Sequence, residues 1–273
     1  RNAPCKKTQK TPKRHPDIIN LIIMSKEMKS EFKNLIVEKL NFDDRKERLS
    51  NDIDKGDVHF FFMSLFGREA ALSAKLSTSI MTSWGMSIYE QACEKLSLKA
   101  GFECETQEKV LGELNQDVKN FISDLENKES YIPDRKKEIE TIRKLSTPGK
   151  PLEHRSSVVD VYIKKPSGEE ILIDITTVKN NIKSFQTLKT KTLVWAGLRF
   201  SQDIDADVNP YFAIPYNPEG KKIDDTNYSR FASNYDREDI LVGDELWRKV
   251  SDNKFTINDL AEVFQEISSI YKI

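Results

Sequence analysis

The chain is poor in the features that stabilise or anchor a protein by means other than a packed core. It has only three cysteines in 273 residues, Cys5, Cys93 and Cys104. Their spacing shows no pairing pattern, which excludes a disulfide framework, argues against a structural zinc site and fits a reducing compartment. No apolar run approaches the roughly eighteen residues that a membrane span needs. The short run Ile18-Ile19-Asn20-Leu21-Ile22-Ile23-Met24 is too brief and poorly flanked for a signal peptide. The formal net charge is only -1, so no global field draws the chain to a polyanion, and nucleic-acid binding would need local basic patches. There is no convincing repeat and no long low-complexity segment. These absences point to a cytoplasmic protein that folds on its own core.

The length suits one large domain or two small ones. Residues 1–24 are basic and Pro-containing at their start, with little periodicity, and read as a flexible leader or arm. Met24-Ser25-Lys26 resembles a natural start. Residues 25–79 read as a helical region: Met28, Phe32, Leu35, Ile36 and Leu40 recur at helical spacing, and Ala70, Ala71, Ala74 and Leu76 build another helix. Between them, Asn51 to Gly56 reads as a polar turn, and the aromatic run Phe60 to Phe66 as core packing. Residues 80–216 form the expected core, with a charged helical excursion near 115–145 whose default reading is a solvated helix. Residues 217–273 form a C-terminal region for DNA contact or dimerisation, with helices over Asp244–Val250 and Ile257–Ile270.

The core is organised around Ser156 to Asn181. Val158-Val159-Asp160-Val161-Tyr162-Ile163 and Glu170-Ile171-Leu172-Ile173-Asp174-Ile175-Thr176 read as two strands joined by a turn at Lys165-Pro166-Ser167-Gly168. Each strand carries one acid in an apolar run, a costly position unless something pairs with it. Alternation puts Asp160 on the face of Val158 and Tyr162, and Asp174 on that of Leu172 and Thr176. Pairing about the turn sets the two acids at similar depth, where they could share a divalent metal. The alternative is an edge hairpin with solvated acids, against which stand the apolar neighbours. Upstream, a hydroxyl-rich loop leads into a helix with Met86, Tyr89, Cys93 and Leu96 as its buried stripe and Thr82, Ser83 and Ser87 as candidate N-caps. Glu90 sits beside that stripe and is the better candidate than Glu94 to reach a central site. Downstream, Ile182 to Leu198 reads as a basic helix bearing Lys183, Lys189 and Lys191. Asn209 to Tyr216 reads as a third strand bounded by prolines. Strand, strand, helix, strand is an α/β core.

Carboxylates on neighbouring strands beside a basic helix suit Mg²⁺ and a polyanionic substrate. This arrangement resembles the catalytic core of the PD-(D/E)xK nucleases. The run Thr82-Ser83-x-Gly85-Met86-Ser87-x-Tyr89-Glu90-Gln91, the later Asp174-Ile175-x-Thr177-Val178-Lys179-x-Asn181 and the basic helix with Leu193-Val194-Trp195 resemble type II restriction endonucleases that cut GGNCC-type sites. The resemblance covers roughly residues 80–216. It implies a restriction-endonuclease-like fold, with a mixed central sheet flanked by helices. It also implies Mg²⁺-dependent hydrolysis of both strands of duplex DNA by a homodimer at a near-palindromic site. On this likeness Glu90 is the helix glutamate, Asp160 the first strand aspartate and Asp174 the second metal acid.

One position departs from the pattern: Thr176 stands where a lysine is expected, and threonine carries no charge. Three readings stay open. Lys179 reaches in from beyond the strand end; Lys183 or Lys189 reaches in from the following helix; or activity is reduced. Thr176 itself can hold a water or a phosphate oxygen. The departure keeps two alternatives in view, a degenerate nuclease-fold DNA-binding protein and a non-site-specific repair or defence nuclease. Arg155 is a candidate phosphate clamp. Arg199, Lys221, Lys222, Arg230 and Arg237 are candidate base readers, since arginine and lysine pair with guanine edges.

Overall fold

The computed structural model describes residues 15–56, 60–83, 87–127, 132–176, 182–228 and 235–271. The expected hairpin forms its centre. Taken in chain order, helices α1 (His15–Leu40), α2 (Phe42–Asp54), α3 (Phe60–Ser83) and α4 (Tyr89–Ala100) lead into strand β1 (Glu103–Lys109). Helices α5 (Gln116–Asn127) and α6 (Arg135–Leu145) precede the hairpin strands β2 (Val158–Lys164) and β3 (Glu169–Ile175). Then come α7 (Ile182–Gln202), β4 (Asp207–Ile214), β5 (Ile240–Val242), α8 (Asp244–Val250) and α9 (Ile257–Tyr271). The five strands make one sheet in the order β1-β2-β3-β4-β5. The first three are mutually antiparallel, and β4 and β5 add in parallel. This is a mixed sheet flanked by helices, a restriction-endonuclease-like core. Among the described residues no helix is long and apolar enough to cross a membrane.

Local chemistry explains the hairpin. The Gly168 N–H donates to the Lys165 carbonyl at 2.9 Å and the Lys165 N–H to the Glu169 carbonyl at 2.9 Å. Gly168 sits at φ 91°, a left-handed conformation that costs a residue without a side chain little. The turn sets a register in which Val161 faces Ile173 and Tyr162 faces Leu172.

Alternation then splits the sheet between two cores. On one face Val161, Ile163, Ile171 and Ile173 pack with α1, α4, α8 and α9, around Phe32, Trp247 and Phe255. On the other face Leu172 and Val208 pack with α5, α6 and α7, around Trp195, Leu198 and Phe200. The loop after β1 lies close against α7. A Cβ on Gly112 would stand 2.3 Å from the Leu198 carbonyl oxygen, a backbone atom that cannot swing aside. Gly112→Ala is therefore expected to destabilise the fold by about 1–3 kcal/mol through overpacking, read as a lowered urea midpoint.

Several local expectations change. Helix α1 begins at His15 and takes in residues 15–24, part of the stretch expected as a leader. The polar stretch from Asn51 belongs largely to α2; the chain breaks instead at Asn41, at φ 37°. The aromatic run of α3 is core only in part: Phe62 and Met63 pack against Leu49, Ile53, Ala71 and Leu72, while Phe61, Leu65 and Phe66 are 68, 76 and 61% exposed. Gly67, at φ 79° and ψ 173°, kinks the helix between the aromatic turn and Ala71 and Leu72. Thr82 and Ser83 lie in α3 and donate to the carbonyls of Thr78 at 2.9 Å and Ser79 at 3.0 Å. The N-cap of α4 is Ile88, with no side-chain cap. Pro210 lies inside β4, opposite Leu172. It is tolerated because β5 pairs only with residues 212–214, leaving β4 an edge strand at that depth.

Candidate active site

The two hairpin acids come together as the turn dictates. One residue beyond the paired Val161 and Ile173, Asp160 stands opposite Asp174. The same step beyond Thr106 and Val161 brings Gln107 of β1 opposite Asp160. A row thus crosses three strands. Asp160 shares its face with Tyr162, and Asp174 with Leu172, the face that α7 covers.

Hydrogen bonds fix each member. The Ile175 N–H donates to Asp160 Oδ2 at 2.7 Å. Gln107 Nε2 donates to Asp160 Oδ1 at 3.2 Å and to Glu90 Oε2 at 2.9 Å. Glu90 thus joins the row from the first turn of α4, through one amide. Gln107 adopts φ 55°, a left-handed conformation that costs a non-glycine residue about 1–2 kcal/mol. Such outliers persist where the surroundings hold them, and here two carboxylates hold the amide.

The electrostatics are tense. Burial pushes the Asp160 carboxyl above its ordinary range, and the Asp174 carboxylate opposite pushes the same way. Burial likewise raises Glu90; the Gln107 hydrogen bond opposes it, and Asp160 and Asp174 add to it. Asp174 is 7% exposed and pairs through Oδ2 with the ammonium of Lys191 on α7. The Lys191 ammonium lies 5.0 Å from the Trp195 ring centroid, one helical turn on.

Among the described residues, no three acidic, histidine or cysteine side chains converge into a ready metal cage. The donor set nonetheless fits Mg²⁺. That ion keeps several waters and is held by one or two carboxylates together with substrate phosphates. Opposed, part-buried carboxylates whose repulsion is not fully offset are a place where a cation gains most.

Other expected residues fall elsewhere. Thr176 follows β3 directly, its N–H donating to the Ala213 carbonyl at 2.9 Å. Lys179, the side chain of Lys183, and Arg230 lie outside the described residues. Lys189 does not reach the acids: it is buried between Glu138 of α6 and Asp239. Glu138, expected on a solvated helix, is buried as its partner. Arg199 forks onto Glu170 through Nε and Nη2 at 2.7 and 2.8 Å, and Arg237 Nη2 donates to both Glu245 oxygens at 2.8 and 2.9 Å. Both guanidiniums have carboxylate partners within the fold. Lys221, Lys222 and Arg155 are exposed. His154 accepts the Ser156 N–H at 3.1 Å through Nδ1, a turn contact.

Two members of the site escaped sequence reasoning. Gln107 sits in a polar strand with no apolar run to reveal it. Lys191 was visible only as one charge of a basic helix; its spacing to Trp195, i to i+4, is the signal that could have singled it out.

Acids on paired strands, an acid on the preceding helix and a cation beside them thus lie together on a restriction-endonuclease-like core. Residues 24–268 match the family described as Type II restriction endonuclease, HinfI. The chain belongs to this family and so to the type II restriction endonucleases, DNA-binding hydrolases of restriction–modification systems. No curated protein and no solved structure matches it significantly.

Proposed function

We propose that the protein hydrolyses both strands of duplex DNA at a short near-palindromic site, GGNCC-like on the sequence likeness, using Mg²⁺ and acting as a homodimer. The observation that carries this reading is the row Glu90, Gln107, Asp160 and Asp174, held at one depth across helix and sheet.

In this reading Asp160 and Asp174 would hold Mg²⁺, and Glu90 would support a water or a second ion. When bound, Mg²⁺ lowers the pKa of a water and stabilises charge on the phosphoryl oxygens. The chain's own part is orientation. The Ile175 N–H holds Asp160 Oδ2, which fixes the plane of the carboxylate. The Gln107 amide holds Glu90 and Asp160 at a set separation. Water attacks phosphorus in line and the bond to O3′ breaks. The oxygen of the water stays on phosphorus; one of its protons ends on O3′ and the other passes to solvent. The products are a 5′-phosphate and a 3′-hydroxyl. Thr176, beside Asp174, offers a hydroxyl to a water or phosphate oxygen. Lys179, beyond the strand, is the sequence-level candidate for the missing charge.

The test is cleavage of mixed-sequence duplex DNA with Mg²⁺ and with EDTA, mapping ends at nucleotide resolution. The expected result is discrete, metal-dependent breaks at one short near-palindrome, by a protein sedimenting as a dimer. Scattered breaks would replace site-specific cutting with a general nuclease. Salt-sensitive binding without breaks would select a degenerate nuclease fold, the alternative that Thr176 keeps in view.

A further inference from the structure

The site carries three carboxylates, and position 176, where a positive charge is expected, holds a neutral threonine. The described lysines of α7 divide sharply. Lys189 is buried and committed to Glu138 and Asp239. Lys191, two residues on, faces the sheet and meets Asp174 Oδ2. It is also the cation that opposes the burial of both Asp160 and Glu90, so its charge lies near all three acids. Trp195 supports it from the next turn, and its side chain remains 24% exposed, open to a ligand.

We infer that Lys191, delivered from helix α7, supplies the positive charge at the reacting phosphate that a lysine at position 176 would otherwise supply. This rests on the endonuclease reading above. The geometry permits the exchange because α7 covers the sheet face on which Asp174 and Thr176 both lie. A flexible four-carbon stem lets one ammonium serve Asp174 in the free protein and turn to a phosphoryl oxygen once a metal ion and DNA occupy the acids. Its catalytic part is electrostatic: it lies beside the charge that develops on the phosphoryl oxygens and takes no proton in the step.

The experiment compares the wild-type full-length chain with Lys191→Met, Lys179→Met and the relocation variant Thr176→Lys/Lys191→Met. Three readouts are used: duplex binding in EDTA, thermal unfolding in EDTA and single-turnover cleavage in Mg²⁺. Lys191→Met is expected to fold and to bind duplex as the wild type does, while cleavage falls by about 10²–10³-fold, the usual loss for one pre-placed electrostatic group. Thr176→Lys/Lys191→Met is expected to recover at least about tenfold of that loss, because residue 176 alternates onto the face of Asp174. A purely structural lysine would not be rescued from another element. In EDTA, Lys191→Met is expected to lower the melting temperature in the wild-type background and not in Asp174→Asn, which reads the ion pair without turnover. The inference is overturned if Lys191→Met cuts within twofold of wild type. It is also overturned if the cleavage loss tracks lost folding or DNA binding, if Lys179→Met alone abolishes cutting, or if the two backgrounds melt with the same shift. Failure is distinguishable from failure of the endonuclease reading, which would appear as a wild-type protein that does not cut in Mg²⁺.

Discussion

Asp174→Asn is expected to lower single-turnover cleavage by about 10³–10⁴-fold while leaving the protein folded. A carboxylate that anchors a catalytic metal underwrites several kcal/mol of transition-state stabilisation, and each 1.36 kcal/mol is a factor of about ten in rate. An amide keeps the shape of the side chain and one oxygen but loses the charge that draws a divalent ion. Fold retention follows from two opposed effects. The substitution leaves Lys191 without its carboxylate partner, which destabilises. It also removes the like charge that raises Asp160 across the hairpin, which stabilises. The check is a rate measured at saturating protein beside a circular-dichroism melt. Cutting at the normal rate would show that Asp174 is not a metal acid, and with it the assignment of the whole row would fail.

The second large effect is on stability. Lys189→Met is expected to cost about 3–5 kcal/mol, the usual consequence of removing one partner from a buried ionic group. Glu138 and Asp239 both pair with this ammonium, and all three are buried. The cluster ties α6 and α7 to the segment before β5. Arg135, with Nε 3.9 Å from Asp239, is too distant to replace the lysine at close range, although the Asp236 N–H still donates to Asp239 Oδ2 at 3.0 Å. The pH dependence has a definite sign. Burial already raises the Asp239 carboxyl, against the pull of Lys189, and without the lysine it rises further. A group with a raised folded-state pKa binds its proton more readily folded than unfolded. The variant therefore regains stability as pH falls into the range where Asp239 is protonated, and loses it as pH rises. Urea titrations of variant and wild type at acidic and neutral pH measure this. The contrast with position 191 is instructive: two lysines in one helical turn are expected to fail in different ways, one by unfolding and one by loss of chemistry.

The hairpin and its two acids were legible because their information is local. β-branched runs, a Pro-Ser-Gly turn and strict alternation set which residues oppose, and the register follows from the turn alone. The buried stripe of α4 was legible for the same reason, and Cys93 and Leu96 are buried as their spacing requires. Strand β1 was not read, since Glu103-Cys104-Glu105-Thr106-Gln107-Glu108-Lys109 is almost wholly polar and its partner lies some fifty residues later. Strand β5, of three residues, is too short to carry a period. The pairing of the basic residues was not legible. Arg199, Arg237 and Lys189 looked like free cations in sequence, whereas each has acidic partners within the fold.

The amino-acid sequence by itself determined that this protein has an α/β core with two acids meeting across a hairpin, because turn chemistry and a period of two act over a few residues. Tertiary structure alone decided which cation stands beside those acids. A charge on a helix declares its helix face but not its partner, and only the packing of α7 on the sheet separates Lys191, placed against Asp174, from Lys189, buried against Glu138 and Asp239.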